Sequence, residues 1–177
     1  AGSVIIIGVK QKGSTLSIEN TLTDADGLGL FSYQWLADGG LIAGANADSL
    51  ILGQSEVGKT ISVAVSFTDG QGTLESLTSA PTSAIQNIND APILTTASTL
   101  STNEDTASSV IAFSATDVDG DNLTYSFSNP TKGSVTNNGD GTYTYTPYAN
   151  ENGIDSFTVT VTDGTVNVSQ TVDVIIN

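Results

Sequence analysis

The segment 157-FTVTVTDG-164 contains the pattern that decides the fold. Phe157, Val159 and Val161 alternate with threonines, and the run ends in an Asp-Gly turn signal. This period-two alternation predicts a β-strand with one buried face and one face in water. An equivalent run, 61-ISVAVSFTDG-70, lies in the first half of the chain. Both halves are therefore expected to contain a long strand that ends in a Thr-Asp-Gly turn.

The same alternation extends outward from these two strands through most of the 177 residues, and no segment shows sustained helical periodicity. The further alternating runs are 16–22, 31–35, 123–128 and 166–176, with turn signals at 38–40, 138–141 and 152–153. Each half offers about seven short strands over roughly 85 to 90 residues, the size of one β-sandwich. The sequence predicts an all-β protein of two tandem seven-strand-type antiparallel β-sandwiches arranged end to end. Their expected bounds are 1–87 and 88–177, because the polar segment 86–92 ends in a strand-breaking proline.

The charge composition excludes several functions. Nineteen acids stand against four lysines, with no arginine or histidine, for a net charge of −15. Nucleic-acid binding and docking on anionic membranes both require basic residues, so neither is expected. The charge is explained either by simple solubility or by bound divalent cations that offset it. No run approaches the roughly 20 apolar residues that span a bilayer, so no direct membrane insertion is expected.

Catalysis is not expected either. Without histidine or cysteine, neither a His-dependent triad nor a thiol nucleophile exists. Paired carboxylates can hydrolyse glycosides, but here the acids fall on turns with no apolar cleft to raise a pKa. The absence of cysteine also favours a bacterial source over a secreted animal one. The chain start lacks a basic n-region, and the whole is expected to be a piece of a longer protein.

Acidic turns recur at matching places in the two halves. Each half has an Asp-x-Asp-Gly turn, at 24–27 and 117–120, and a Thr-Asp-Gly turn, at 68–70 and 162–164. In a seven-strand antiparallel sandwich, turns after the second and sixth strands lie at the same end of the domain. The two acidic turns of each half are therefore expected to meet.

The resulting carboxylate clusters are candidate calcium sites. In the second half the cluster comprises Asp117, Asp119 and Asp163 with Asn89 and Asp90 of the linker, and Asp121 as a further candidate. In the first half it comprises Asp24, Asp26 and Asp69. Calcium takes six to eight oxygen ligands, which carboxylates and amide carbonyls supply. The alternative is that Asp-Gly serves here only as ordinary turn chemistry.

The first half, through Tyr33-Gln34-Trp35 and 57-VGKTISV-63, resembles bacterial immunoglobulin-like repeats of very large RTX-type secreted adhesins. The second half resembles the cadherin-like repeats of the same proteins. The motifs that carry this likeness are 89-NDAP-92, 103-NEDT-106, 115-ATDVDGD-121, 139-GDGTYTYTP-147 and 157-FTVTVTDG-164.

The resemblance implies a secreted, cell-surface array in which calcium between modules stiffens a rod. Its ligands would be Asn89, Asp90, Asp117 and Asp119, with Asp163 beside them. Glu104 would lie at the other end of the second domain and serve a following module. The implied partners are neighbouring repeats of the same chain, with any cell-surface ligand held by a distant tip domain, and the segment is expected to be monomeric. The adjoining end of the first half departs from the cadherin pattern, since it carries Lys10-Gln11-Lys12-Gly13.

Two non-enzymatic functions remain open: a calcium-stiffened spacer in adhesion or biofilm formation, and a module that itself binds a carbohydrate or protein. Sugar binding requires exposed aromatic rings. Most aromatic residues fall on inward registers, and only Tyr143 and Tyr148 are in doubt. This pattern favours the spacer.

Overall fold

The computed structural model describes residues 2–177 and consists of fifteen β-strands and one short 3-10 turn, Gln54–Glu56. The chain forms two compact units, the first extending to Ile88 and the second comprising Asn89–Asn177. The predicted all-β class is confirmed. Within residues 2–177, no helix has the length and apolar character required to cross a lipid bilayer.

The first unit is a sandwich of two antiparallel sheets. Its strands are β1 (Val4–Ile7), β2 (Thr15–Asn20), β3 (Ser32–Ala37), β4 (Gly40–Leu41), β5 (Ser49–Ile51), β6 (Ile61–Thr68) and β7 (Leu74–Thr78). One sheet has the order β1-β2-β5 and the other the order β4-β3-β6-β7. Alternate residues of β6 are buried, as the period-two pattern predicts, and pack around Trp35. Trp35 is fully buried and its indole N–H donates to the Ala47 carbonyl at 3.0 Å.

The second unit is a sandwich of eight strands. They are β8 (Ile93–Thr96), β9 (Thr99–Thr102), β10 (Ile111–Thr116), β11 (Thr124–Phe127), β12 (Gly133–Asn137), β13 (Thr142–Pro147), β14 (Gly153–Thr162) and β15 (Asn167–Ile176). The sheet orders are β12-β13-β10-β8 and β11-β14-β15-β9. β9 pairs with β15 in parallel and the remaining pairs are antiparallel.

The strand count of the second unit corrects the expected scheme. Where one first strand was expected, the chain forms β8 in one sheet and β9 in the other. The Asp-x-Asp-Gly turn therefore follows the third strand of this unit, not the second, and Asp163 follows the seventh. The alternating run 166–176 predicts Val166 on the same inward face as Val172 and Val174, and this prediction is wrong. Val166 is 36% exposed, because it lies in the turn before β15 begins.

An aromatic core fills the second unit. Phe127 and Tyr143 contact each other, and each of them contacts both Phe113 and Phe157, with ring centroids 5.4–6.5 Å apart. Tyr143 is fully buried, which settles its position, whereas Tyr148 is 53% exposed. Every aromatic side chain of residues 2–177 except Tyr148 is therefore buried or partly buried.

A buried carboxylate joins the start of β12 to β13 and β14. Asp155 is 6% exposed and accepts hydrogen bonds from Tyr145 Oη (2.7 Å), Lys132 N–H (2.8 Å) and Thr131 N–H (3.0 Å). Burial alone would raise the pKa of Asp155, but the hydrogen bonds from Tyr145, Lys132 and Thr131 outweigh it and hold the pKa at about 2. Burial, with Asp155 as neighbour, raises the pKa of Tyr145.

Candidate metal centre

Strand pairing brings the acidic turn of β10 next to the start of the second unit. Thr116, the last residue of β10, is paired with Ile93, the first residue of β8. The chain that precedes β8, including Asp90, therefore lies beside the chain that follows β10, which begins with Asp117. Gly120 has φ +77°, a left-handed conformation that favours glycine and closes this turn.

Hydrogen bonds connect the linker residues to both acidic turns. The Asp90 N–H donates to Asp119 Oδ2 at 2.7 Å, and the Asp119 N–H donates to Asp117 Oδ1 at 2.7 Å. Asn89 Nδ2 donates to Asp163 Oδ2 at 2.9 Å. Residues 74 positions apart along the chain are thus joined at one end of the second unit. Because Asn89 Nδ2 donates this hydrogen bond, the Oδ1 atom is the part of the side chain that would serve as a neutral oxygen ligand for a cation.

Three carboxylates at this end have the spacing of a single cation site. One oxygen each of Asp117, Asp119 and Asp121 lies within 4.8 Å of the others. Calcium–oxygen distances are about 2.3–2.6 Å, so two ligands of one ion are at most about 5 Å apart. The three oxygens fit that limit. Since carboxylates, amide oxygens and no nitrogen or sulfur ligands are present, the donor set suits a hard cation.

One member of this cluster has a buried oxygen without a hydrogen-bond partner. Among the side chains of residues 2–177, Asp117 Oδ2 and Gln54 Oε1 are the buried polar atoms that make no hydrogen bond. A buried carboxylate oxygen without a donor is unfavourable, and such an atom calls for an explanation. The residues present fit calcium, because a cation would supply the partner that Asp117 Oδ2 lacks.

Asp163 reaches the cluster indirectly. Its Oδ1 accepts from the N–H groups of Thr165 and Val166, both at 2.6 Å, and its Oδ2 accepts from Asn89. The Val166 N–H, Asn89 and the Thr165 N–H together hold the pKa of Asp163 below its usual value. Asp163 is therefore ionised and anchors Asn89, while the close carboxylate group comprises Asp117, Asp119 and Asp121.

Glu104 lies at the opposite end of the second unit. It follows β9, whose last residue, Thr102, pairs with Ile176 at the end of β15, whereas Asp163 precedes the start of β15. Ten residues of strand at about 3.3 Å each separate these ends by roughly 30 Å. The Glu104 N–H donates to the Asn177 carbonyl at 2.8 Å, and this acid does not belong to the cluster at the other end.

The first unit has a carboxylate triad of its own. Oxygens of Asp24, Asp26 and Asp69 lie within 4.8 Å of one another. The turn after β6 approaches the Asp26 backbone closely: a Cβ at Gly70 would lie 2.1 Å from the Asp26 carbonyl oxygen. The sequence pattern predicted Gly70 only as a turn residue, although a glycine directly after an acidic turn residue is a usable signal of close backbone approach. Unlike Asp117, this triad has no buried oxygen without a partner.

A family model described as bacterial cadherin-like domain matches residues 89–177, the whole of the second unit. The matched range includes every residue of the site from Asn89 to Asp163. No curated protein matches the chain.

Solved structures show the fold. Hemolin, an insect immune protein, aligns over 100% of this chain at 12% identity with a TM-score of 0.50, and Drosophila OTK extracellular domains 3–5 align over 99% at 13% with 0.48. The chain spans 44% of the hemolin chain and 65% of the OTK chain, less than two thirds of either. Fibronectin(III)-like modules of Clostridium thermocellum CbhA align over 98% of this chain and 94% of theirs, at 15% identity and a TM-score of 0.32. At these identities the hemolin likeness supports tandem β-sandwiches of the immunoglobulin-like kind and nothing about activity.

Proposed function

Because the chain belongs to the bacterial cadherin-like domain family through residues 89–177, we propose that it is a calcium-binding spacer segment of a bacterial surface adhesin. The family and the immunoglobulin-like fold indicate an extracellular adhesion-type repeat module. The observation that carries the calcium proposal is the buried, unpartnered Asp117 Oδ2 within a group of three carboxylates.

The proposed ion is held by Asp117, Asp119 and Asp121, with the Asn89 side-chain oxygen as an additional ligand. Calcium would neutralise carboxylates that otherwise repel one another at this spacing. Asp90 positions the Asp117–Asp121 turn through its N–H bond to Asp119, and Asp163 positions Asn89. These two acids act mainly as organisers of the site in this proposal.

The mechanical consequence follows from the sequence position of the site. Asn89 and Asp90 come directly after Ile88, the last residue of the first unit. An ion that fixes them restrains the backbone just where one unit ends and the next begins. We therefore propose that calcium stiffens the connection between the two units. Neighbouring repeats of a longer chain are the proposed partners, with any adhesive cell-surface ligand held by a distant tip domain.

The alternative function is a module that itself binds a carbohydrate or a protein, and the aromatic residues argue against the carbohydrate. Carbohydrate platforms present exposed aromatic rings. Trp35 and Tyr143 are fully buried, and Tyr148 is the strongly exposed ring among residues 2–177. The resemblance to RTX-type adhesin repeats supports the spacer role.

The triad of Asp24, Asp26 and Asp69 is proposed as a second, weaker ion site.

Calorimetric titration of calcium into the chelator-treated chain tests the proposal. We expect binding with a dissociation constant of about 10⁻⁴–10⁻³ M, the range of extracellular modules. The double variant Asp117→Asn with Asp119→Asn should lose the second-unit site. Asp140→Asn is the matched control, because Asp140 is an exposed turn acid outside both clusters. Equal binding by the wild type and the double variant would rule out this site.

A further inference from the structure

The free edge of β7 is an unpaired sheet edge of the first unit. Within residues 2–177, β7 has β6 as its single strand partner, and all five of its residues are exposed. Proteins usually protect such edges with lysine, proline, a bulge or a covering segment. Leu74–Thr78 contains neither lysine nor proline, and its one charge is Glu75.

The hydrogen-bond pattern shows which backbone groups of β7 face outward. The Asp69 N–H donates to the Thr73 carbonyl and the Ser79 N–H donates to the Val63 carbonyl, both at 2.9 Å. Hydrogen-bonded pairs alternate along an antiparallel ladder, so the odd-numbered residues from 73 to 79 face β6. The even-numbered residues turn their N–H and C=O groups away from the sheet. These residues are Leu74, Ser76 and Thr78.

A groove runs beside this edge. Glu75 and Leu77 pair with Phe67 and Val65, so they lie on the face that points into the sandwich. Phe67 and Val65 are buried, whereas Leu77 is 38% exposed and Glu75 is exposed. The groove has a volume of ≈ 310 Å³ and is lined by Gly2, Leu22, Thr23, Phe67, Glu75, Ser76 and Leu77.

We propose that the β7 edge and this groove bind an extended segment of another protein by β-strand addition, and that this segment carries both apolar and basic residues on the one face that lies over the groove, at every second position. The outward N–H and C=O groups would supply the backbone pairing. Apolar side chains of the added strand would fill the groove over Phe67 and Leu77. The one charged side chain of the groove lining is Glu75, so a basic residue complements it.

Charge also decides against a second copy of the chain as the occupant. Each copy carries a net charge of −15 and only four lysines. Pairing two β7 edges would bring two Glu75 carboxylates into one interface, and like charges in close apposition destabilise it. A cationic strand from a different protein has the opposite sign. The proposal is independent of calcium, because none of its residues belongs to either carboxylate cluster.

The test uses a fluorescently labelled nine-residue peptide, titrated with the full chain by anisotropy in calcium and in chelator. The peptide has threonine at the odd positions and valine and lysine in turn at the even positions, so that valine and lysine share one face. Saturable binding is expected in both buffers. A valine–glutamate peptide should bind at least about tenfold more weakly, equivalent to 1.4 kcal/mol. The valine–lysine peptide with alternate backbone amides N-methylated should not bind, because it cannot complete the strand pairing.

Variants of β7 locate the contact. Ser76→Pro removes an outward N–H without removing a bond to β6, so it should abolish peptide binding while the fold persists. Glu75→Lys should reverse the preference between the basic and acidic peptides. Glu19→Lys is the matched control, since Glu19 is an exposed acid of β2 outside the groove, and it should leave the preference unchanged.

Amide exchange in the wild-type chain keeps the test decisive if Ser76→Pro fails to fold. The bound peptide should protect the N–H groups of Leu74, Ser76 and Thr78 and leave their odd-numbered neighbours unchanged. No protection at these three amides, or equal binding by the N-methylated peptide, overturns the proposal. Concentration-dependent dimerisation that protects the same amides without peptide would assign the edge to a second copy and overturn the proposed occupant.

Discussion

Replacing the buried acid Asp155 should destabilise the second unit in a pH-dependent way. Asp155→Asn keeps the size of the side chain but replaces one carboxylate oxygen with an NH₂ group. If this group takes the place of Oδ2, it faces the Tyr145 O–H and the Lys132 N–H, which now donate to that oxygen. A buried donor would then face another donor. Loss of hydrogen bonds to a charged acceptor and the remaining unpaired groups predict a loss of about 2–4 kcal/mol at pH 7.

The pH dependence has a definite sign. The pKa of Asp155 is about 2 in the folded chain, against the ordinary value of 3.8 for an aspartate. A lowered folded-state pKa stabilises the folded protein fully above the unfolded value near 3.8, and this contribution is lost as pH falls through about 2. At 1.36 kcal/mol for each pKa unit, the difference corresponds to roughly 2 kcal/mol. The stability gap between wild type and Asp155→Asn should therefore be constant from pH 7 to pH 5 and narrow below about pH 4.

Urea unfolding in chelator measures this gap. Four of the five tyrosines lie in the second unit, so the tyrosine signal follows mainly this unit. The fluorescence of Trp35, the one tryptophan of the chain, follows the first unit as an internal control. The Trp35 transition should be the same in both proteins. An unchanged second-unit midpoint in Asp155→Asn, or a gap that stays constant down to pH 2, would refute the assigned role of Asp155.

Three further outcomes are expected. Gly70→Ala places a Cβ 2.1 Å from the Asp26 carbonyl and should lower the stability of the first unit by about 1–3 kcal/mol, seen as an earlier Trp35 unfolding transition with the second unit unaffected. Calcium at 100 times its dissociation constant should stabilise the second unit by about 2.7 kcal/mol, and the calorimetric melting shift should vanish in Asp119→Asn but persist in Asp140→Asn. Spin labels placed one in each unit should give a narrower distance distribution in calcium than in chelator; identical distributions would contradict calcium stiffening while leaving calcium binding intact.

The sequence predicted the strands well because period-two alternation reports burial directly. The run from Phe157 to Val161 is buried at every second residue, as the pattern indicates. The alternation also gave the correct inward face for Trp35. The alternation does not predict the exposure of Val166 correctly. This residue continues the sequence pattern but lies just before β15, where side chains no longer alternate between two faces of a sheet.

Other features depend on long-range packing that no local pattern encodes. The division of the first segment of the second unit into β8 and β9 depends on which sheet each half joins. Asp155 occupies an alternating position of β14 where an apolar residue would be expected, and its partners lie at least ten residues away in sequence. The acidic turns of the site were predicted as a group. The separate roles within the group, with Asp117 Oδ2 unpartnered and Asp163 bonded to Asn89, depend on contacts between distant parts of the chain that no local pattern encodes.

A calcium titration followed by ¹H–¹⁵N NMR tests the central claim most directly. We predict saturable shifts of the backbone amides of Asp90, Asp119 and Gly120, which lie in or beside the proposed ligand group, with smaller changes at Glu104 at the other end of the unit. Absence of shifts at millimolar calcium, or weak unsaturable shifts spread over all exposed acids, would contradict a specific calcium site at Asp117, Asp119 and Asp121.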